Sequence, residues 1–216
     1  MSGLLITFEG IEGVGKSTQI QLLAHTLREL RHQVLTVREP GGTPIGEEIR
    51  HTLKHSASSA TMSPETELLL MNASRAQLVR EIIKPALQRG ETVLCDRFFD
   101  STIAYQGYGR GLDLKLVRTV IEFATEGLSP TMTMLLHLPI DLSESRRASR
   151  LGNTAPQGDR FDEADASFFK RVSDGYRQLA AEAPGRFRVI DATKTIQEVQ
   201  LEIWSAISPI LLRTRL

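Results

Sequence analysis

Between an apolar run, LLITF at residues 4–8, and apolar residues at Ile20, Leu23, Leu27 and Leu30, the chain reads GIEGVGKS from Gly10 to Ser17. The first run predicts a strand over 4–8. The spacing that follows predicts a helix over 16–30 with one buried face. A glycine-rich turn between such elements, closed by Lys-Ser, matches in full the loop that cradles nucleotide phosphates. Its glycines let backbone N–H groups turn inward around phosphate oxygens, and the helix offers its positive end. Lys16 is placed to reach the β- and γ-phosphates, and Ser17 to ligate Mg²⁺. The nucleotide set is Gly10, Ile11, Glu12, Gly13, Val14, Gly15, Lys16, Ser17 and Thr18. The loop by itself predicts only that a nucleoside triphosphate binds.

Beyond this loop, strands and helices alternate. Strands are predicted over 33–37, 92–95, 131–138 and 188–190. Helices are predicted over 44–53, from the Ser63-Pro64 pair toward Gly90 with a kink at Pro85, then over 113–126, 141–150, 164–182 and 196–207. HSASSATMS at 55–63 and RLGNTAPQGD at 150–159 read as loops. Such alternation implies a parallel sheet covered by helices on both faces, with ligands beyond the carboxyl ends of its strands. The 216 residues suit a single α/β domain. The 26 Lys+Arg balance the 26 Asp+Glu, so no global field recruits nucleic acid or an anionic membrane. Cys95 is the only cysteine, which fits a reducing, cytoplasmic setting. No apolar run reaches the ~18–20 residues a membrane span needs.

Which nucleotide chemistry the loop serves is narrowed by what surrounds it. No Asn-Lys-x-Asp guanine reader is present, and the 92–95 strand ends in Asp96-Arg97 rather than in an acidic pair. Asp96 is placed to hold a metal through water. A planar guanidinium grips phosphate through two donors, so Arg97 suits a second substrate that already carries phosphate. Three readings stand at this point: a kinase of a nucleoside monophosphate, a kinase of another acceptor on the same fold, and a nucleotide-driven regulator or assembly ATPase.

Several separated motifs resemble the bacterial thymidylate kinase family in family order. They are FEGIEGVGKST (8–18), REPGGT (38–43) followed by IGEEIR, ASRAQLV (73–79), IKPAL (83–87), DRFFDSTIAYQG (96–107), DRFDE (159–163), FFKRVSDGY (168–176) and IDAT (190–193). The resemblance implies a five-stranded parallel sheet flanked by helices, with a LID over roughly 143–160. It implies transfer of the γ-phosphoryl group of ATP to thymidine monophosphate (dTMP), with Mg²⁺, and a homodimer through apolar helices, for which residues 67–78 are a candidate face. Carried over by motif, Arg97 and Arg38 lie near the acceptor phosphate and Arg75 against the base edge. Ser101, Tyr105 and Gln106 line base and sugar, and Asp96 serves the metal with Ser17. Glu12 turns from ATP to the acceptor and accepts a hydrogen bond from the 3′-hydroxyl. Glu9 is open between ordering Lys16 or metal waters and a structural ion pair.

One departure carries weight. Met71 stands where the family usually stacks a phenylalanine on thymine, and a thioether packs on a π face more softly than a ring. The loop positions Ile11 to Val14 hold no cation, whereas ESRRASR supplies Arg146, Arg147 and Arg150. This matches the subtype whose LID provides catalytic arginines, here Arg147 and Arg150 beside Lys16 and Arg97.

Overall fold

The computed structural model describes residues 3–56, 61–151 and 166–213, the side chains of 147–151 and 213 excepted. Five parallel strands form one sheet in the order β2-β3-β1-β4-β5. They are β1 (Leu4–Glu9), β2 (Val34–Arg38), β3 (Thr92–Asp96), β4 (Met132–His137) and β5 (Phe187–Asp191). Along β1 every residue is buried, and the period of two splits its side chains between two cores. Leu4, Ile6 and Phe8 pack with α1 (Lys16–Glu29) and the C-terminal helices, while Leu5 packs against Leu78, Val79 and Ile83. Burial on both faces is why these strands read as continuous apolar runs.

Strand β1 sends the chain across β3 to β2, and β3 sends it back across β1 to β4. The crevice between the ends of β1 and β3 is therefore the topological switch point, where ligands of such sheets bind. Register sets both ends side by side, with Phe8 opposite Asp96 and Arg38 opposite Asp96 on the other flank.

Most expected elements are present within two residues of the predicted bounds. Helix α2 (Pro44–His55) is capped by Thr43, whose hydroxyl accepts from the Gly46 amide at 3.0 Å. Helix α3 (Pro64–Leu78) is capped by Ser63, which accepts from the Thr66 amide at 3.2 Å. The proline effect expected near Lys84 is met earlier. A π-helical turn (Val79–Ile83) precedes α4 (Lys84–Gln88), which places Pro85 in the first turn of the new helix, where its missing N–H costs little.

Two differences from the sequence reading have clear causes. Helix α5 (Phe99–Thr102) and a π-helical stretch (Ile103–Gly109) lie where no helix was expected. Ile103, Ala104, Tyr105, Gln106, Gly107 and Gly109 are all buried there, so no polar face marks the period. Helix α6 (Leu114–Thr125) follows, capped by Asp113. Beyond α7 (Ile140–Leu151) and α8 (Ala166–Glu182), helix α9 (Ile196–Arg213) runs six residues past the expected end at 207 and through Pro209. Its buried face, Val199, Ile203, Ile207 and Leu211, continues across the proline and holds the helix to the core.

Candidate active site

The loop after β1 ends at Gly15, which enters α1 with φ of 95°. Only glycine adopts this readily, and a side chain at Gly10 (φ 130°) would place its Cβ 2.3 Å from the Leu136 carbonyl oxygen. Unlike α2, α3 and α6, α1 has no side-chain cap at its N-terminus. Its first N–H groups are therefore left for an external acceptor, the arrangement that binds anions. Lys16 lies almost buried, with Nζ donating to the Ile11 and Gly10 carbonyls at 2.9 and 3.1 Å. Burial, then the like charge of Arg97, pulls its pKa down to about 7 against the pull of Asp96, Glu9 and Glu12. A polyanion at the loop restores that charge.

Ser17 Oγ donates to Asp96 Oδ2 at 2.8 Å, which joins the loop to the end of β3. These are hard oxygen donors of the kind that hold Mg²⁺ together with substrate phosphates and water. Next to them, Arg97 stands at φ 69°, a left-handed conformation that costs a non-glycine residue about 1–2 kcal/mol. The strand ends hold it there. Its amide donates to the Phe8 carbonyl at 3.0 Å, and its own carbonyl accepts from Cys95 Sγ. Burial opposes its charge, but Tyr105, Tyr176, Glu9 and Asp96 outweigh burial and raise its pKa.

Glu9 does not touch Lys16. Its Oε1 accepts from the Phe98 and Ser101 amides at 2.8 and 3.3 Å, and its Oε2 lies 2.6 Å from Ser101 Oγ and 2.8 Å from Tyr176 Oη. The two hydroxyls are also 2.9 Å apart. Both hydroxyls donate to the same carboxylate oxygen. Burial above all, then the charge of Asp100, raises this carboxyl to about 7, against the opposing pull of Arg97 and of its hydrogen bonds. Among the described residues Glu9 makes no hydrogen bond to Lys16 and sits instead at the centre of a hydroxyl network.

A cleft of about 250 Å³ opens along these strand ends. It brings together Glu12, Gly13, Gly15, Lys16, Ser17, Thr18, Arg38, Met71, Asp96, Arg97, Ser101, Tyr105 and Gln106. Ile11 and Val14 point into the core behind the loop. Arg38 donates through Nη2 to both Glu47 oxygens, at 2.9 and 2.8 Å. The Gly42 amide first, and Arg38 after it, holds the Glu47 carboxyl below the usual range. Gln106 is oriented by Glu67, to which its Nε2 donates at 2.7 Å. Arg75 is placed differently from the base-edge expectation. It lies beneath the wall and does not line the cleft, donating to Glu39, Asn72 and Thr102 at 2.8, 2.8 and 2.9 Å. The side chains of Arg147 and Arg150 lie outside the described residues. That of Arg146 donates to the Ala192 carbonyl at 3.0 Å, on the IDAT turn.

The wall also includes Glu39, Arg50, Lys54, Thr102 and Phe169, which sequence reasoning did not single out. Arg50 and Lys54 carried a legible signal, since two cations four apart on a helix share a face. Glu39 Oε1 is buried without a partner among the described residues. Nothing in the order REP distinguishes that carboxylate from a surface one.

A phosphate loop at the end of β1, an oxygen-rich metal position joined to it, and a second cationic wall across the switch point define a P-loop nucleotide-binding protein with room for a second anionic substrate. Comparison with known proteins narrows the class. The family model described as thymidylate kinase matches residues 8–203. A thymidylate kinase of Deinococcus radiodurans is 50% identical over 95% of this chain and 97% of its own length. One from Geotalea uraniireducens is 47% identical over 95% and 96%. The crystal structure of thymidylate kinase from Ehrlichia chaffeensis superposes with a TM-score of 0.77 at 32% identity, covering 96% of this chain and all of that one. The chain belongs to the thymidylate kinase family.

Proposed function

We infer that the protein transfers the γ-phosphoryl group of ATP to a phosphate oxygen of dTMP, giving ADP and thymidine diphosphate. The observation that carries this reading is Arg97, held in a left-handed turn at the switch point and facing the same cleft as the phosphate loop. A hydrolase has no use for a half-buried guanidinium there, whereas an acceptor with its own phosphate does. The uncapped turn of α1 and Lys16 take the β- and γ-phosphates, and Arg97 with Arg38 takes the acceptor phosphate. Bringing both substrates into one cleft supplies orientation, which is most of what phosphoryl transfer asks of a protein.

Mg²⁺ is the metal this donor set suits: Ser17, and Asp96 through water, would hold it, and it would supply charge neutralisation on the triphosphate. Glu12 lines the cleft, and in this reading its carboxylate accepts from the sugar 3′-hydroxyl. Arg147 and Arg150 complete the charge around the transferred group from the LID. The reading is tested by incubating the protein with ATP, Mg²⁺ and a panel of monophosphates. Diphosphate formed from dTMP supports it, and ATP hydrolysis with no acceptor product removes it.

A homodimer is part of the same proposal. Residues 67–78 do not serve as one face, because Glu67, Leu68, Asn72, Ser74, Arg75 and Leu78 turn inward. Leu69 and Ala73 turn outward on α3, beside Leu116 and Phe123 on the adjacent α6, with Phe123 78% exposed. A stripe of this kind across two neighbouring helices suits a second copy of the chain. A sedimentation mass that halves in Phe123→Asp supports this, and an unchanged mass opposes it. No helix among the described residues is long and apolar enough to cross a membrane. Placement in the cytoplasm accords with the buried thiol of Cys95.

A further inference from the structure

Tyr176 belongs to the FFKRVSDGY stretch of α8 and enters the site through its hydroxyl, which contacts Glu9 and Ser101. Its ring is buried, 2% exposed, and meets Tyr105 edge-on at 6.4 Å between centroids. Its hydroxyl reaches 79 residues back along the chain to Arg97, accepting from Nη1 at 3.3 Å. The same Nη1 donates to Ser101 Oγ at 3.0 Å, and Nη2 donates to Tyr105 Oη at 3.3 Å. Three of the five guanidinium protons are therefore spent on three hydroxyls. The Nε–H and the second Nη2 proton have no partner among the described residues and remain for a phosphate in the cleft.

The three hydroxyls differ in origin. Ser101 and Tyr105 lie on the same segment as Arg97, four and eight residues further on, and Ser101 shares the Glu9 anchor through its own hydroxyl. Tyr176 comes from the helix that follows the LID, and it is fixed by Glu9 Oε2 at 2.8 Å, on the central strand. We propose that Tyr176 is a positioning residue: its hydroxyl, anchored on Glu9, fixes the rotation of the Arg97 guanidinium so that a donor edge faces the acceptor phosphate. This rests on the reading of the cleft as a monophosphate site.

Tyr176→Phe tests it, because the ring and its packing stay while the hydroxyl goes. Binding of dTMP and of thymidine is measured by titration calorimetry for the wild type and the variant, with KM for ATP and the melting temperature alongside. The expected result is a loss of dTMP affinity of about 10- to 150-fold, the range for one hydrogen bond to a charged group. Thymidine affinity and KM for ATP should change less than about 2-fold on the same scale. Unchanged dTMP affinity overturns the proposal, as does an equal loss for dTMP and thymidine, which marks a purely structural hydroxyl. The same contrast is run with the deoxyuridine and deoxyguanosine monophosphates and their nucleosides. A wild-type preference for one of these defeats the thymidylate reading alone. A loss that ignores the phosphate on every pair defeats the role of Tyr176.

Discussion

Arg75 Nε donates to Glu39 Oε2 at 2.8 Å, and the two side chains are only 2% and 4% exposed. Burial raises the Glu39 carboxyl and Arg75 opposes the rise. Removing one member of such a pair leaves an unpaired buried charge, at about 3–5 kcal/mol, whereas replacing both with apolar groups of similar size costs much less. Arg75→Ala should therefore lower the denaturant midpoint strongly, and Arg75→Met with Glu39→Leu should recover most of the loss. An Arg75→Ala protein as stable as the wild type would show that the pair is not closed in solution. Any change in base selectivity at Arg75 has to be read against this structural cost.

Lys16→Ala should leave the fold intact and nearly abolish turnover, because charge growing on the transferred group loses its fixed cation. Arginines of the LID type are worth about 10³–10⁵ in rate in P-loop enzymes. Arg147→Ala with Arg150→Ala should thus lower kcat far more than it raises KM for ATP. Steady-state kinetics separates the two, and an undiminished kcat in the double variant contradicts the assignment of catalytic help to the LID.

Glu12→Ala should weaken use of dTMP and spare ATP. A carboxylate that reads the 3′-hydroxyl distinguishes acceptors that have it from 3′-deoxy analogues, so the variant should lose that preference. Equal losses with both acceptors would place Glu12 on the phosphate loop itself, where its backbone carbonyl already accepts from Ser143 Oγ.

The Glu9 network makes stability depend on pH. With its carboxyl raised from 4.5 to about 7, the folded state favours the protonated form. That contribution is fully present below about pH 4.5 and is lost as pH rises through 7. Lys16 acts in the opposite sense. Its pKa is lowered from 10.5 to about 7, so its contribution is present above 10.5 and lost as pH falls through 7. Glu9→Gln should flatten the decline between pH 4.5 and 7 in urea titrations and leave the alkaline rise. A variant that keeps the wild-type slope would show that Glu9 is ionised in the folded state throughout.

What could be read from the sequence follows from what each feature needs. The loop at Gly10 to Ser17 is contiguous, so its glycines, lysine and flanking periods announce it. The sheet was legible because its strands are apolar runs closed by turns. The stretch after Arg97 was not, because its helix is buried all around and lacks a polar face. Tyr176 and Glu39 were invisible as site residues for another reason. Their roles exist only once the ends of β1, β2 and β3 meet α8 and α3, contacts that no local spacing encodes. Arg75 shows the limit of transfer by motif, since its position on α3 is as expected while its guanidinium is committed to Glu39, Asn72 and Thr102.

The most direct measurement is kcat/KM for the monophosphates of thymidine, deoxyuridine, deoxycytidine and deoxyguanosine with ATP as donor. A wall built for one pyrimidine ring should exclude purines. Loss of the thymine methyl should cost about 1 kcal/mol. Cytosine sets an amino group where thymine has a carbonyl, so any cleft donor that pairs with that carbonyl would face another donor, at about 1–3 kcal/mol, or roughly 5- to 150-fold; Arg75, withdrawn behind the wall, is not that donor in this arrangement. The predicted order is thymidylate, then deoxyuridylate, then deoxycytidylate, with deoxyguanylate poor. Met71→Phe should tighten thymidylate binding or leave it unchanged. An order led by deoxycytidylate or deoxyguanylate would contradict thymidylate as the acceptor and leave a monophosphate kinase of another base.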